Sequence, residues 1–191
     1  MKDRALPALL AAALACALTV SGCRKHRGLP TQEKPASSAE KRSPSLLTAG
    51  PLQRGLAALH KKLGKPIKAL ELLVYPDHLM LQVESPKQPD HVLQYEYRDG
   101  KVSDGVPVEL QGSGKLSDNL YALDNIQLDA VPELARQAVQ KVDPKNGRVS
   151  YLILKRNLPF DMDVQYRVFV KSPLRDGYVD ADKSGKLLED N

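Results

Sequence analysis

The chain has 191 residues, 42% of them hydrophobic, and a mean hydropathy of −0.37. That is enough for one ordinary domain plus segments outside its core, and it excludes both wholesale disorder and a multi-span membrane architecture. The formal charge of +5 is unevenly placed: residues 1–50 carry eight Lys/Arg against three acids, whereas residues 51–191 carry 20 of each sign. The folded part is therefore neutral, the pI of 9.1 belongs to the N-terminal segment, and nucleic acid is not an expected partner.

A short basic start, Met1-Lys2-Asp3-Arg4, precedes an uncharged run from Ala5 to Val20. At 16 residues the run is short of the ~20 a membrane span needs and reads as an export signal over residues 1–22. It ends in Val20-Ser21-Gly22-Cys23, which resembles the lipobox of bacterial lipoproteins. The resemblance implies cleavage before Cys23 and acylation of its thiol, with the lipid bilayer as the first partner. Two or more acyl chains give stable anchoring where one is marginal. Cys16 leaves with the signal, so the mature chain keeps one acylated cysteine and has no disulfide, CxxC metal site or thiol nucleophile. Arg24, not aspartate, follows the lipidated position; by analogy with enterobacterial sorting this favours the periplasmic face of the outer membrane if the source is Gram-negative. Residues 23–50, rich in Pro, Ser, Lys and Glu and without hydrophobic periodicity, read as a disordered tether.

From Pro51 to the end of the chain, the pattern is helix then strands, twice. Leu52, Leu56, Leu59 and Leu63 form an amphipathic stripe, opened by Pro51 and closed by Lys61 and Lys62, then Gly64 and Pro66. A shift of 79 carries the stripe onto Val131, Ala135, Ala138 and Val142. The same shift carries the alternating strand Leu70, Leu72, Val74 onto Val149, Tyr151, Ile153. Shifts of 87 and 85 then align Leu79-Leu81-Val83 with Tyr166-Val168-Val170, and Leu93–Val102 with Tyr178–Leu187. Between the units, Val106–Leu110 and Leu120–Leu123 read as an extra hairpin. The expected fold is α+β: two helix-plus-three-strand repeats (about 52–105 and 129–191) forming antiparallel sheet with the helices on one face, and a connecting hairpin over about 106–128.

The second unit, with a strand ending near Ser172-Pro173 and the terminal run Tyr178-Val-Asp-Ala-Asp-Lys-Ser-Gly-Lys-Leu187, resembles a PepSY domain. The tandem resembles the two-unit fold of secreted β-lactamase-inhibitor proteins. That resemblance implies a periplasmic or extracellular module associated with protein binding, in some relatives with holding a peptidase in check, and it carries over no catalytic residues.

Asp180-Ala-Asp182-Lys-Ser184-Gly185 spells the opening of a calcium loop, but position 12 is Asn191 where a bidentate Glu is needed; a strand entering a tight turn is the expected reading. His78 and His91 could meet across a hairpin, yet two imidazoles without a third ligand make no zinc site. Asp161, Asp163 and Asp176 could cluster, but among Pro, Phe160, Met162 and other loop residues they are expected to be solvated. No G-x-S-x-G, H-E-x-x-H, Walker or dinucleotide motif occurs. The expectation is therefore a non-catalytic, cofactor-free and metal-free lipoprotein of the cell envelope that binds a protein or peptide. The alternatives are a structural subunit of an envelope or secretion complex, or a peptidase-inhibitor-like or calcium-dependent module. The candidate contact residues are Leu158, Phe160 and Met162 in the elongated turn of the second unit, then Tyr95 and Tyr97. The strand tyrosines are expected to pack in the core or, on the face away from the helices, to offer contact area.

Overall fold

The computed structural model describes residues 44–111, 114–158 and 162–189. Cys23, the export signal, most of the tether, Phe160 and Asp161 lie outside them. Helix α1 (Ala49–Leu63) buries Leu52 and Leu59 and ends at Gly64, whose N–H donates to the His60 carbonyl at 2.9 Å. A meander follows, β1 (Lys68–Val74), β2 (His78–Glu84) and β3 (Val92–Arg98). The connecting segment holds short elements: β4 (Lys101–Val102), β5 (Val106–Val108), α2 (Leu116–Asn119) and β6 (Tyr121–Ala122). The pattern then returns as α3 (Val131–Val142), which buries Val131, Leu134, Ala135 and Ala138, and the meander β7 (Arg148–Arg156), β8 (Val164–Lys171) and β9 (Gly177–Asp182).

The strands form one antiparallel nine-stranded sheet in which the two first strands lie side by side. Its order is β4-β3-β2-β1-β7-β8-β9. Residues from α1, α3 and one side of every long strand share a single core. Both long helices therefore cover the same face, and among the described residues the opposite face of the sheet carries no helix of comparable length.

The segment between the meanders is not a hairpin. Its strands β5 and β6, flanking α2, pair with β3 and β1 and not with each other. Tyr121 explains the second pairing: its buried hydroxyl donates to the Leu154 carbonyl on β7 at 2.9 Å, which pins β6 across the β1–β7 junction. Leu46, assigned to the tether by sequence, is 4% exposed and its N–H donates to the Pro76 carbonyl at 2.8 Å, so the last residues before α1 belong to the folded unit.

Two strand alignments differ by one residue from the sequence reading. Leu152 and Leu154 are fully buried, whereas Tyr151 and Ile153 point to the opposite face. The cause in these first strands is an irregularity in each meander. The β1–β2 ladder shifts register between Ala69 and Glu71, and the β7–β8 ladder shifts between Val149 and Tyr151. The inserted residue of each bulge moves the remaining side chains to the other face. Counted from each bulge, Leu72 and Val74 on β1 and Leu152 and Leu154 on β7 stand at the same steps. Followed outward along the ladders, these lead to Tyr95 and Tyr97 on β3 and to Val179 and Ala181 on β9, not to Asp180 and Asp182.

Candidate functional site

Because side chains alternate across a strand, the bulge-corrected register fixes what the open face presents. Three rows cross the six long strands. The first is Gln94, Gln82, Glu71, Lys155, Gln165 and Asp182; the second is Glu96, Met80, Leu73, Ile153, Arg167 and Asp180. The third begins at Arg98 and His78, passes Tyr75 just beyond β1, and continues through Tyr151, Phe169 and Tyr178.

The third row is a run of rings. Tyr75 stacks on His78 at 4.2 Å and on Tyr151 at 5.3 Å; Tyr151 stacks on Phe169 at 4.6 Å; Phe169 lies 6.0 Å from Tyr178. Such pairs add about 0.5–1.5 kcal/mol each beyond the area they bury. Both ends are held by charge. His78 Nδ1 lies 2.8 Å from Asp77, which also pairs with Arg98, and at the far end the Arg167 guanidinium sits 4.3 Å over the Tyr178 ring. Arg167 is itself oriented by two bonds to Asp180, at 2.7 and 2.8 Å. A bidentate pair fixes geometry as well as charge, so the ring row is a preformed surface. Tyr178, at 52% exposed, is its most accessible member.

Beside the rings lies an open concavity of about 260 Å³ lined by Tyr151, Ile153, Lys155, Arg167, Phe169 and Asp180 among others. Near its polar margin, burial pushes the Glu71 carboxyl above its ordinary pKa and the Lys155 ammonium, 4.0 Å away, draws it partly back. The arrangement offers apolar contact area with oriented charges. Among the described residues no group of three His, Cys, Asp or Glu is placed to hold a metal ion.

The sequence candidates are distributed differently. Tyr95 and Tyr97 are each 8% exposed and belong to the core under α1, so neither offers a contact surface. Tyr97 occupies the space left by Gly55, where an added Cβ would stand 2.9 Å from its ring. Met162 is 55% exposed and Leu158 half-buried. The Arg156 guanidinium donates to the Met162 and Leu120 carbonyls, which ties the turn to the inter-meander segment at the edge of the open face. His78 and His91 sit at opposite ends of the β2–β3 hairpin and cannot share a ligand. Asp182 Oδ1 accepts from the Ser184 N–H, the Ser184 hydroxyl and the Lys186 N–H at 2.8, 2.6 and 3.1 Å. This is turn chemistry around Gly185, whose φ is +86°. Asp176 pairs with Lys171 at one end of β8 while Asp163 precedes the other end, so no acidic cluster forms between them. The ring row escaped the sequence reading as a unit because its members lie on four segments, and Tyr151 reaches this face only through the bulge in β7.

No protein-family model matches the chain, and no curated protein matches it. Among solved structures, a chain from Clostridium difficile 630 described as a "putative lipoprotein" shares the fold, with a TM-score of 0.52 and 16% sequence identity over 77% of this chain and 97% of that one. Among the described residues, no helix is long and apolar enough to cross a membrane.

Proposed function

We propose that this chain is a bacterial lipoprotein, acylated at Cys23, whose folded unit binds a protein partner at the cell envelope through the open face of its sheet, without catalysis. The observation that carries the reading is the row Tyr75, Tyr151, Phe169 and Tyr178, in successive ring contact and held at both ends by charge, on a face that no long helix among the described residues covers. Surface aromatics of this kind normally serve recognition. The sheet edges point the same way. The β3 edge is occupied by β4 and β5. The β9 edge is partly occupied by residues 186–188, through the Leu188 N–H on the Asp180 carbonyl and the Asp182 N–H on the Lys186 carbonyl. Strand addition is thereby blunted, and the face is what remains. The lipobox-like Val20-Ser-Gly-Cys23 supports the anchor, and so does the lipoprotein description of the C. difficile structure.

The same reading includes an origin by duplication of a PepSY-like unit. Matched register shifts at Ala69/Glu71 and Val149/Tyr151 support it, as does the repeated order of helix and three strands.

Two measurements test the proposal. Replacing Cys23 by Ser should abolish incorporation of labelled fatty acid and release the chain from the membrane fraction. A photo-cross-linking residue at position 178, on the open face, should capture a polypeptide in intact membranes that the same residue at Lys61, exposed on α1, does not. Equal capture from the two positions removes the face from the proposal.

A further inference from the structure

We infer that the occupant of the open sheet face is the same face of a second copy of this chain, related by a twofold axis running along the β1–β7 junction. The inference rests on the reading of that face as a docking surface and names its partner. In such a pair each residue of β1 meets the residue of β7 at the same height, because the axis lies between two strands whose partners are already in register. Glu71 then faces Lys155 of the other copy, Leu73 faces Ile153, and the ring of Tyr75 faces Tyr151. Each contact occurs twice. One column outward, Gln82 faces Gln165, and Met80 lies over the alkyl stem of Arg167.

The central contacts carry the argument. Aligned sheets pack face to face at roughly 10 Å with a crossing angle of about 30°, which displaces the outer columns most and the central ones least. Glu71 and Lys155 are adjacent within the chain at 4.0 Å, so the twofold builds a four-charge alternating square. Leu73 and Ile153, half-buried at the centre of the face, close into an apolar patch beside it. The like charges Glu96 and Asp180, which approach at the margins, are each already bonded to an arginine of their own chain, Arg98 and Arg167.

The area is adequate for a reversible pair. Six strands about 4.8 Å apart with three outward residues each present roughly 600 Å² per copy, or about 1,200 Å² in total, the lower end of specific interfaces.

The test exploits the reciprocity of the charge contact. The whole chain is followed by sedimentation velocity in density-matched detergent, as the wild type and as the single variants Glu71→Lys and Lys155→Glu. The wild type should dimerise with rising concentration. Each variant alone, bringing like charges together twice, should weaken the dimer by about a hundredfold or more. An equimolar mixture of the two should recover dimers: across the interface the two introduced charges, a lysine at position 71 and a glutamate at position 155, meet each other, and the native Glu71 and Lys155 left in the two chains meet as before. A monomeric wild type at about 100 μM, dimers that persist undiminished in both single variants, or a mixture that gains nothing over its components would each overturn the inference.

Circular dichroism establishes that the variants are folded. A second arm, in a Cys16→Ser, Cys23→Ser background, does not depend on charge. A Gln82→Cys chain mixed with a Gln165→Cys chain should be joined by a short thiol cross-linker. Gln165→Cys alone should not, since its two thiols would stand at least about 14 Å apart across three strand spacings. Cross-linking in neither sample, or equally in both, counts against the pairing. If the chain is monomeric yet position 178 still captures another polypeptide, the docking surface stands and only the identity of its partner fails.

Discussion

The two bulges place Leu154 in the core and its neighbour Ile153 on the open face, and a pair of alanine substitutions measures that placement. Leu154 is fully buried against Leu72 of the adjoining strand. Truncating it removes three carbons, about 2.4 kcal/mol of transfer free energy at ~0.8 kcal/mol per methylene. The unfilled cavity then brings the total to about 3–4 kcal/mol. For a domain of this size each kcal/mol moves the melting midpoint by about 2–4 °C, so Leu154→Ala should lower Tm by roughly 6–16 °C. Ile153 is only half-buried and leaves no closed cavity; Ile153→Ala should cost about 1 kcal/mol, or roughly 2–4 °C. Thermal unfolding followed by far-UV circular dichroism at low micromolar protein, with reversibility checked by a second scan, reads both. An unbulged ladder predicts the opposite ranking, and finding it would refute the register on which the open face is built.

Further outcomes follow from single contacts. Tyr121→Phe removes the donor to the Leu154 carbonyl and should cost about 1–2 kcal/mol, read from the urea midpoint at unchanged slope. Gly185 combines φ +86° with a Cβ position 2.4 Å from the Ala130 Cβ, so Gly185→Ala should destabilise by about 1–3 kcal/mol, and a neutral effect would show that the turn can move away from α3. Asp143, just past the end of α3, accepts from the Ser172 hydroxyl at 2.6 Å and from the Asn146 and Lys145 N–H groups, and these bonds hold its carboxyl below the ordinary pKa. A depressed folded-state pKa contributes stability that is present above the unfolded-state pKa and is lost as pH falls through the folded one. The acid limb of the stability profile should therefore flatten in Asp143→Asn, and an unchanged limb would assign it to other carboxylates.

Much of the architecture was legible because periodicity reports burial directly. The stripe Leu52, Leu56, Leu59, Leu63 marks α1, its echo at Val131–Val142 marks α3, and the alternating runs mark the long strands. What could not be read was phase. A bulge has no sequence signature at Leu70 or Ser150, yet it inverts everything beyond it. In β7 it turns Tyr151 to the open face, while on the unshifted β3 and β9 ladders it is the phase of the alternation that buries Tyr95 and Tyr97 and leaves Tyr178 outside. The inter-meander segment misled for a related reason. Its two short strands have hairpin-like spacing but find better partners in β3 and β1, where Tyr121 gains a buried hydrogen bond that a hairpin would not supply.

The junction between the meanders consists of only four residue pairs, from Glu71–Lys155 to Val74–Leu152. These bring together positions 78 to 84 apart in the chain, whereas β2–β3 and β8–β9 close over short turns. Loop-closure entropy therefore sets an order of assembly in which local hairpins collapse beneath their own helices first and the seam zips last. Tyr121, reaching from a strand on β1 to a carbonyl on β7, acts as a latch that the chain can fasten only once both halves are in place.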